Sequence, residues 1–84
     1  MLAVIGAGDP FRGLALLQAI VASLTRARAK HEKFAALPEE ALAVIGSECG
    51  ELCDAVLRET PERQFDKALD VIATAIRFCG KEWG

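Results

Sequence analysis

The chain has 84 residues, so it is one domain at most, and as a monomer it would bury only about 60% of its unfolded surface. Yet 52% of it is hydrophobic, more than so short a chain can hide within itself, and several copies sharing one core are expected. Ten basic residues against twelve acidic ones give a net charge of -2, which argues against a dedicated nucleic-acid binder.

A negative balance still admits nucleotides, because a bound divalent cation can supply positive field locally. No apolar run approaches the ~20 residues of a membrane-spanning helix. The apolar start lacks the basic n-region and longer apolar stretch of a secretory signal, so a cytoplasmic location is expected.

Residues 1–11 stand apart as a leader, flexible or loosely docked, before a single helical domain over 12–84. Val4-Ile5-Gly6-Ala7-Gly8 opens like a dinucleotide-binding fingerprint. Phe11 stands where its third glycine should be, and no strand–helix–strand unit follows, which argues against that use.

From about Arg12 a helical period sets in. Leu14, Leu17, Val21, Leu24, Arg28 and His31 recur at alternating three- and four-residue steps, marking one face of a helix that ends near Phe34. Asp9 can cap it and Pro10 suits its first turn, where a missing N–H costs nothing. The basic run Arg26–His31 suits the negative end of the helix dipole.

Leu37-Pro38-Glu39-Glu40 starts a second helix that runs to about Glu59, and Thr60-Pro61-Glu62 starts a third that reaches Gly80. Three helices with short loops make antiparallel neighbours. The expected fold is all-α, a three-helix protomer that assembles as a homo-oligomeric bundle, dimer or tetramer. Cys49, Cys53 and Cys79 lie within the helices without zinc-site spacing, and are read as small buried hydrophobes.

Two spacings carry possible chemistry. On the second helix, Leu42, Ile45, Cys49, Leu52 and Val56 centre an unusually broad apolar arc, and Glu40, Ser47, Glu51, Asp54 and Arg58 make its wet face. Glu48 sits between the two, one turn before Glu51, so both carboxylates can converge on one point. An acid at an apolar margin needs a partner, and a cation is one solution. On the third helix, Phe65, Ala68, Leu69, Ile72, Ile76, Cys79 and Trp83 form the core stripe; Asp66, Asp70, Thr74, Arg77 and Lys81 take the polar side, with Lys67 at its edge. Asp66 with Asp70 can bind a cation, and Lys67, Arg77 and Lys81 can neutralise phosphates. Each spacing taken alone also describes an ordinary solvated helix face.

Together, Glu39–Leu52 and Ala68–Phe78 resemble the MazG-like all-α nucleoside triphosphate pyrophosphohydrolases, and Arg26–His31 resembles the end of the first helix in short members. The resemblance covers roughly residues 14–83. It implies Mg²⁺, with Mn²⁺ as the alternative, held by an ExxE pair and an ExxD pair, and hydrolysis of a (deoxy)nucleoside triphosphate to the monophosphate and pyrophosphate in nucleotide-pool house-cleaning.

Glu48 and Glu51 fall at the ExxE positions and Asp70 at the closing Asp, with Asp66 a substitute ligand. Lys67 occupies the position of the missing acid, and Ser47 stands where many relatives carry Glu. Lys30, Lys67, Arg77 and Lys81 are the candidate phosphate contacts, with His31 near them. The departure at Lys67 admits a second reading, a non-catalytic helical oligomer that binds a nucleotide or a protein partner. Phosphoribosyl-ATP is a further substrate within the same superfamily, without a motif of its own here.

Overall fold

The computed structural model describes residues 10–83. Within them the chain forms α1 (Pro10–Lys30), α2 (Pro38–Arg58) and α3 (Pro61–Cys79). Residues 1–9, which include Asp9 and most of the expected leader, lie outside the described residues. No helix among those described is long and apolar enough to cross a membrane.

The helix starts follow the local chemistry. Pro38 and Pro61 each occupy a first turn, with Glu39, Glu40 and Glu62 beside them at the positive end of the dipole. The Thr60 hydroxyl accepts from the Arg63 N–H at 3.4 Å, capping α3. Leu37, at the corresponding place before α2, makes no side-chain cap. α1 stops at Lys30 rather than near Phe34. Beyond it the carbonyls of His31 and Glu32 accept from the Arg77 guanidinium instead of continuing the helix.

α3 is the central element. It packs against α2 on one side and α1 on the other, while the α1 and α2 backbones do not approach each other. Among the described residues the sealed apolar core is small, consisting of Ala41 and Ala55 of α2 with Leu69 and Ala73 of α3. Alanines at the α2–α3 contact let the two backbones come close. No large side chain among the described residues is fully buried, which is too little for a chain this apolar.

The apolar stripes turn out differently from the sequence expectation. On α1 the inward residues are Leu16, Ile20, Ser23 and Ala27, whereas Leu14, Leu17, Val21, Arg28 and His31 are exposed. On α2 the broad arc divides in two. Ala41, Val44, Ile45, Glu48, Leu52 and Ala55 turn towards the protomer, and Leu42, Cys49, Cys53, Val56 and Leu57 face outward. All three cysteines are free and exposed rather than buried. On α3, Phe65 is exposed, while Asp70 and Thr74 of the expected polar side are half-buried and Arg77 is buried. α3 has neighbours on two sides, so its polar stripe faces α1 instead of water.

The C-terminal end of α3 is tied to the α1–α2 loop. Glu82 N–H donates to the Arg77 carbonyl and Lys81 N–H to that of Phe78, both at 3.0 Å. This is a Schellman closure in which Lys81 takes the left-handed conformation at φ 55. Phe34 N–H then donates to the Glu82 carbonyl at 3.1 Å, Ala35 forms a two-residue bridge with Trp83, and the Trp83 ring lies 5.0 Å from that of Phe78.

Candidate functional site

Because α1 and α2 both lean on α3 without their backbones approaching each other, an open cavity of about 530 Å³ remains between the three helices. Its walls differ in charge. α1 contributes Arg26 and Lys30, with Ser23 and Ala27 deeper in, and His31 follows directly after it; α2 and α3 contribute Glu48 and Asp70 with Val44, Ala73 and Thr74. Arg26 and Lys30 lie one turn apart, so α1 presents a basic row to the two acids. The volume falls within the roughly 300–1,000 Å³ of small-molecule sites.

Glu48 is half-buried on the inner side of α2. Partial burial raises its pKa above the usual carboxylate value, the charges of Glu51 and Asp70 push it further, and the Lys67 ammonium opposes them. Four groups from two helices therefore share one field. They are not equivalent. Lys67 Nζ donates to Glu51 Oε1 at 2.9 Å, and that bond is the main cause of the raised Lys67 pKa. The Glu51–Lys67 pair lies outside the cavity lining, whereas Glu48 and Asp70 are on it.

Among the described residues, no group of three Asp, Glu, His or Cys side chains is placed to hold a metal ion unaided. The donor set is two cavity carboxylates, with a third acid already engaged by an ammonium. It fits a hard dication that brings its remaining oxygens with it, since Mg²⁺ is commonly held by one or two carboxylates together with substrate phosphates and water.

The other candidate residues are distributed unevenly. Lys30 faces the cavity, as does His31. Asp66 is exposed on α3 and acts, with Asp70, on the Arg63 charge. Lys81 is exposed in the turn after α3. Arg77 borders the cavity, but its donors are engaged: Nη2 reaches the carbonyls of His31 at 2.6 Å and Glu32 at 3.0 Å, and Nε reaches Glu82 Oε1 at 2.9 Å. Nη1 lies 3.4 Å from the Ala27 carbonyl, and the guanidinium sits 5.4 Å above the Phe34 ring. Arg77 is only 2% exposed. It organises the wall and has little left with which to take up a phosphate.

Two cavity residues carried no functional signal in the sequence reading. Arg26 was legible only as part of a basic helix end, although its spacing of four from Lys30 is the signal that places it. Thr74 donates to the carbonyls of Asp70 and Val71 at 3.1 and 2.9 Å, which leaves its oxygen as an acceptor towards the cavity. No protein-family model, curated protein or solved structure matches the chain, so the functional reading rests on these residues and their geometry.

Proposed function

We propose that this cavity binds a (deoxy)nucleoside triphosphate with Mg²⁺ and hydrolyses it to the monophosphate and pyrophosphate. The observation that carries the reading is the facing of Glu48 and Asp70 against Arg26, Lys30 and His31 across one open cavity. A triphosphate needs both walls, cations for its outer oxygens and carboxylates for the accompanying metal. The resemblance of residues 39–52 and 68–78 to MazG-like enzymes, read from the sequence alone since no family model matches the chain, points to the same chemistry.

Glu48 and Asp70 would hold the ion. Bound there, Mg²⁺ supplies charge neutralisation of the phosphates and a more acidic water for attack. Arg26 and Lys30 hold the phosphate chain in line, so that attack and departure fall on opposite sides of one phosphorus. Glu51 acts on Glu48 through charge while itself held by Lys67. The protein acts as a homo-oligomer, dimer or tetramer, in the nucleotide-pool class and in the cytoplasm.

Pyrophosphate release from a panel of canonical and modified dNTPs, with Mg²⁺ and then Mn²⁺, tests this. Absence of metal-dependent turnover on every member, or unchanged turnover in Glu48→Gln, would refute it.

The 2.9 Å Lys67–Glu51 bond favours a second reading, a nucleotide-binding oligomer without turnover, because an ammonium stands where a fourth carboxylate would complete the metal site. Lys67→Glu separates the two. A variant that gains metal-dependent turnover absent from the parent identifies the parent as a binder; a parent already active identifies the hydrolase.

A further inference from the structure

Among the described residues of α1, only Ser23 is buried, at 5% exposure. A hydroxyl in the middle of a helix ordinarily bonds back to a carbonyl of its own preceding turn. Thr25 does so to Val21 at 2.8 Å, and Thr74 to Asp70 and Val71. The Ser23 hydroxyl makes no such bond, nor one to any other described residue. Yet no sealed side-chain oxygen or nitrogen among those residues lacks a partner, so the Ser23 oxygen keeps an opening. Ser23 lines the cavity, and that is where the opening leads.

A polar group held this deep without a partner costs stability unless something comes to meet it. Alanine would suit the helix better. The place of Ser23 narrows what it meets. α1 follows α3 in the same direction: Arg77 meets the carbonyls of Ala27 and His31 near both C-terminal ends, and the inward residues of α1 continue back through Ile20 and Leu16. Ser23 lies one turn before Ala27, as Ala73 lies one turn before Arg77. The hydroxyl is therefore set towards Asp70 and away from Phe34 and His31. On α1 itself Ser23, Arg26 and Lys30 recur at steps of three and four, and all three line the cavity. One helix face thus offers a hydroxyl, a guanidinium and an ammonium over about 10 Å of its axis. Three donors in a row, opposite Glu48 and Asp70, suit a string of anionic oxygens better than a sugar or a base.

We infer that Ser23 is a binding residue for the phosphate chain, its hydroxyl donating to a phosphate oxygen at the end of the cavity where Glu48 and Asp70 lie. The inference rests on the triphosphate reading of the cavity and adds to it a contact and a direction, with the phosphates running along Ser23, Arg26 and Lys30. A hydrogen bond from a buried hydroxyl to a charged oxygen is strong because no water competes for it.

The full chain and its Ser23→Ala variant are compared by isothermal titration calorimetry. The probes are Mg²⁺-tripolyphosphate and the Mg²⁺ complex of an α,β-methylene deoxynucleoside triphosphate. Both dissociation constants should rise about tenfold in Ser23→Ala, by the same factor. The melting temperature of the variant without ligand should hold or rise, because a hydroxyl without a fixed partner is gone. A lower melting temperature, or loss of helical circular dichroism, would make the hydroxyl a structural one and overturn the inference. So would unchanged affinities, a loss confined to the nucleotide, or a parent that takes the nucleotide but not tripolyphosphate. A parent that binds neither probe refutes the cavity reading as well. A parent with metal-dependent turnover whose Ser23→Ala variant binds as tightly refutes Ser23 alone.

Discussion

Two partly buried sets of charges lie along α3, one around Asp70 and one around Arg77, and they are resolved in opposite ways. At the Arg77 end a buried guanidinium meets Glu82 and backbone carbonyls from α1 and the loop, and Arg28 completes the pairing of Glu82. At the Asp70 end Lys67 satisfies Glu51, while Glu48 remains beside Asp70 with its charged form disfavoured. Charge fully matched by fixed partners holds the helices in place. Charge left under-compensated at a cavity wall is what a cationic ligand can use.

The largest expected effect is at the matched end. Arg77→Met removes the donor that, among the described residues, α1, the loop and Glu82 share, leaving the carbonyls of His31 and Glu32 without this partner and Glu82 with Arg28 alone. It should lower unfolding free energy by about 3 kcal/mol, read by urea denaturation at fixed protein concentration. A loss below about 1 kcal/mol would mean that water replaces the guanidinium freely and that the knot is not structural.

Glu48→Gln tests the other end and should move two quantities in opposite directions. Turnover should fall by about 100-fold or more, because charge stabilisation at the metal is lost. Thermal stability should hold or rise near neutral pH, because the half-buried charge is gone. If both fall together, Glu48 is part of the frame and the contrast between the two ends collapses.

The pH dependence of stability sharpens the contrast further. The Arg28 hydrogen bond, and after it that of Arg77, hold the Glu82 pKa below its ordinary value of 4.5, against the opposing effect of partial burial. A carboxylate with a depressed folded pKa contributes stability that is complete above its unfolded value and disappears as pH falls through the folded one. Melting temperature should therefore drop on acidification below about 4.5, and Glu82→Gln should flatten that slope. An unchanged slope in the variant would assign the acid sensitivity to other carboxylates.

The smallest effect belongs to Lys81. A lysine at φ 55 is strained where glycine is not, so Lys81→Gly should raise stability by about 1 kcal/mol without changing turnover. A fall in turnover would give the Lys81 ammonium a phosphate contact that its exposed position in the turn does not suggest.

Much of the fold was legible in the residues. Pro38, Thr60 and Pro61 mark their helix starts by rules of backbone geometry, and α2 and α3 end within a residue of expectation. α1 was placed less well at its end, because Arg77 takes carbonyls whose fate depends on a side chain 46 residues away. The Schellman turn is not marked in the residues, because its left-handed position is Lys81 rather than a glycine. At the candidate site, the sequence placed Glu48 and Asp70 on neighbouring helices and Lys30 near them. It did not show that Arg77 is engaged or that Lys67 reaches Glu51.

By itself, then, the sequence determined the helical type of the described segments, the starts of α2 and α3, and the angular spacing of residues around each helix. Only the tertiary structure decided which arc of each helix turns inward. The period of 3.6 residues sets angles within a helix but not its rotation towards its neighbours, and α2 carries enough apolar surface to satisfy either choice. That rotation puts Glu48 on the cavity wall and leaves Leu42, Cys49 and Val56 exposed.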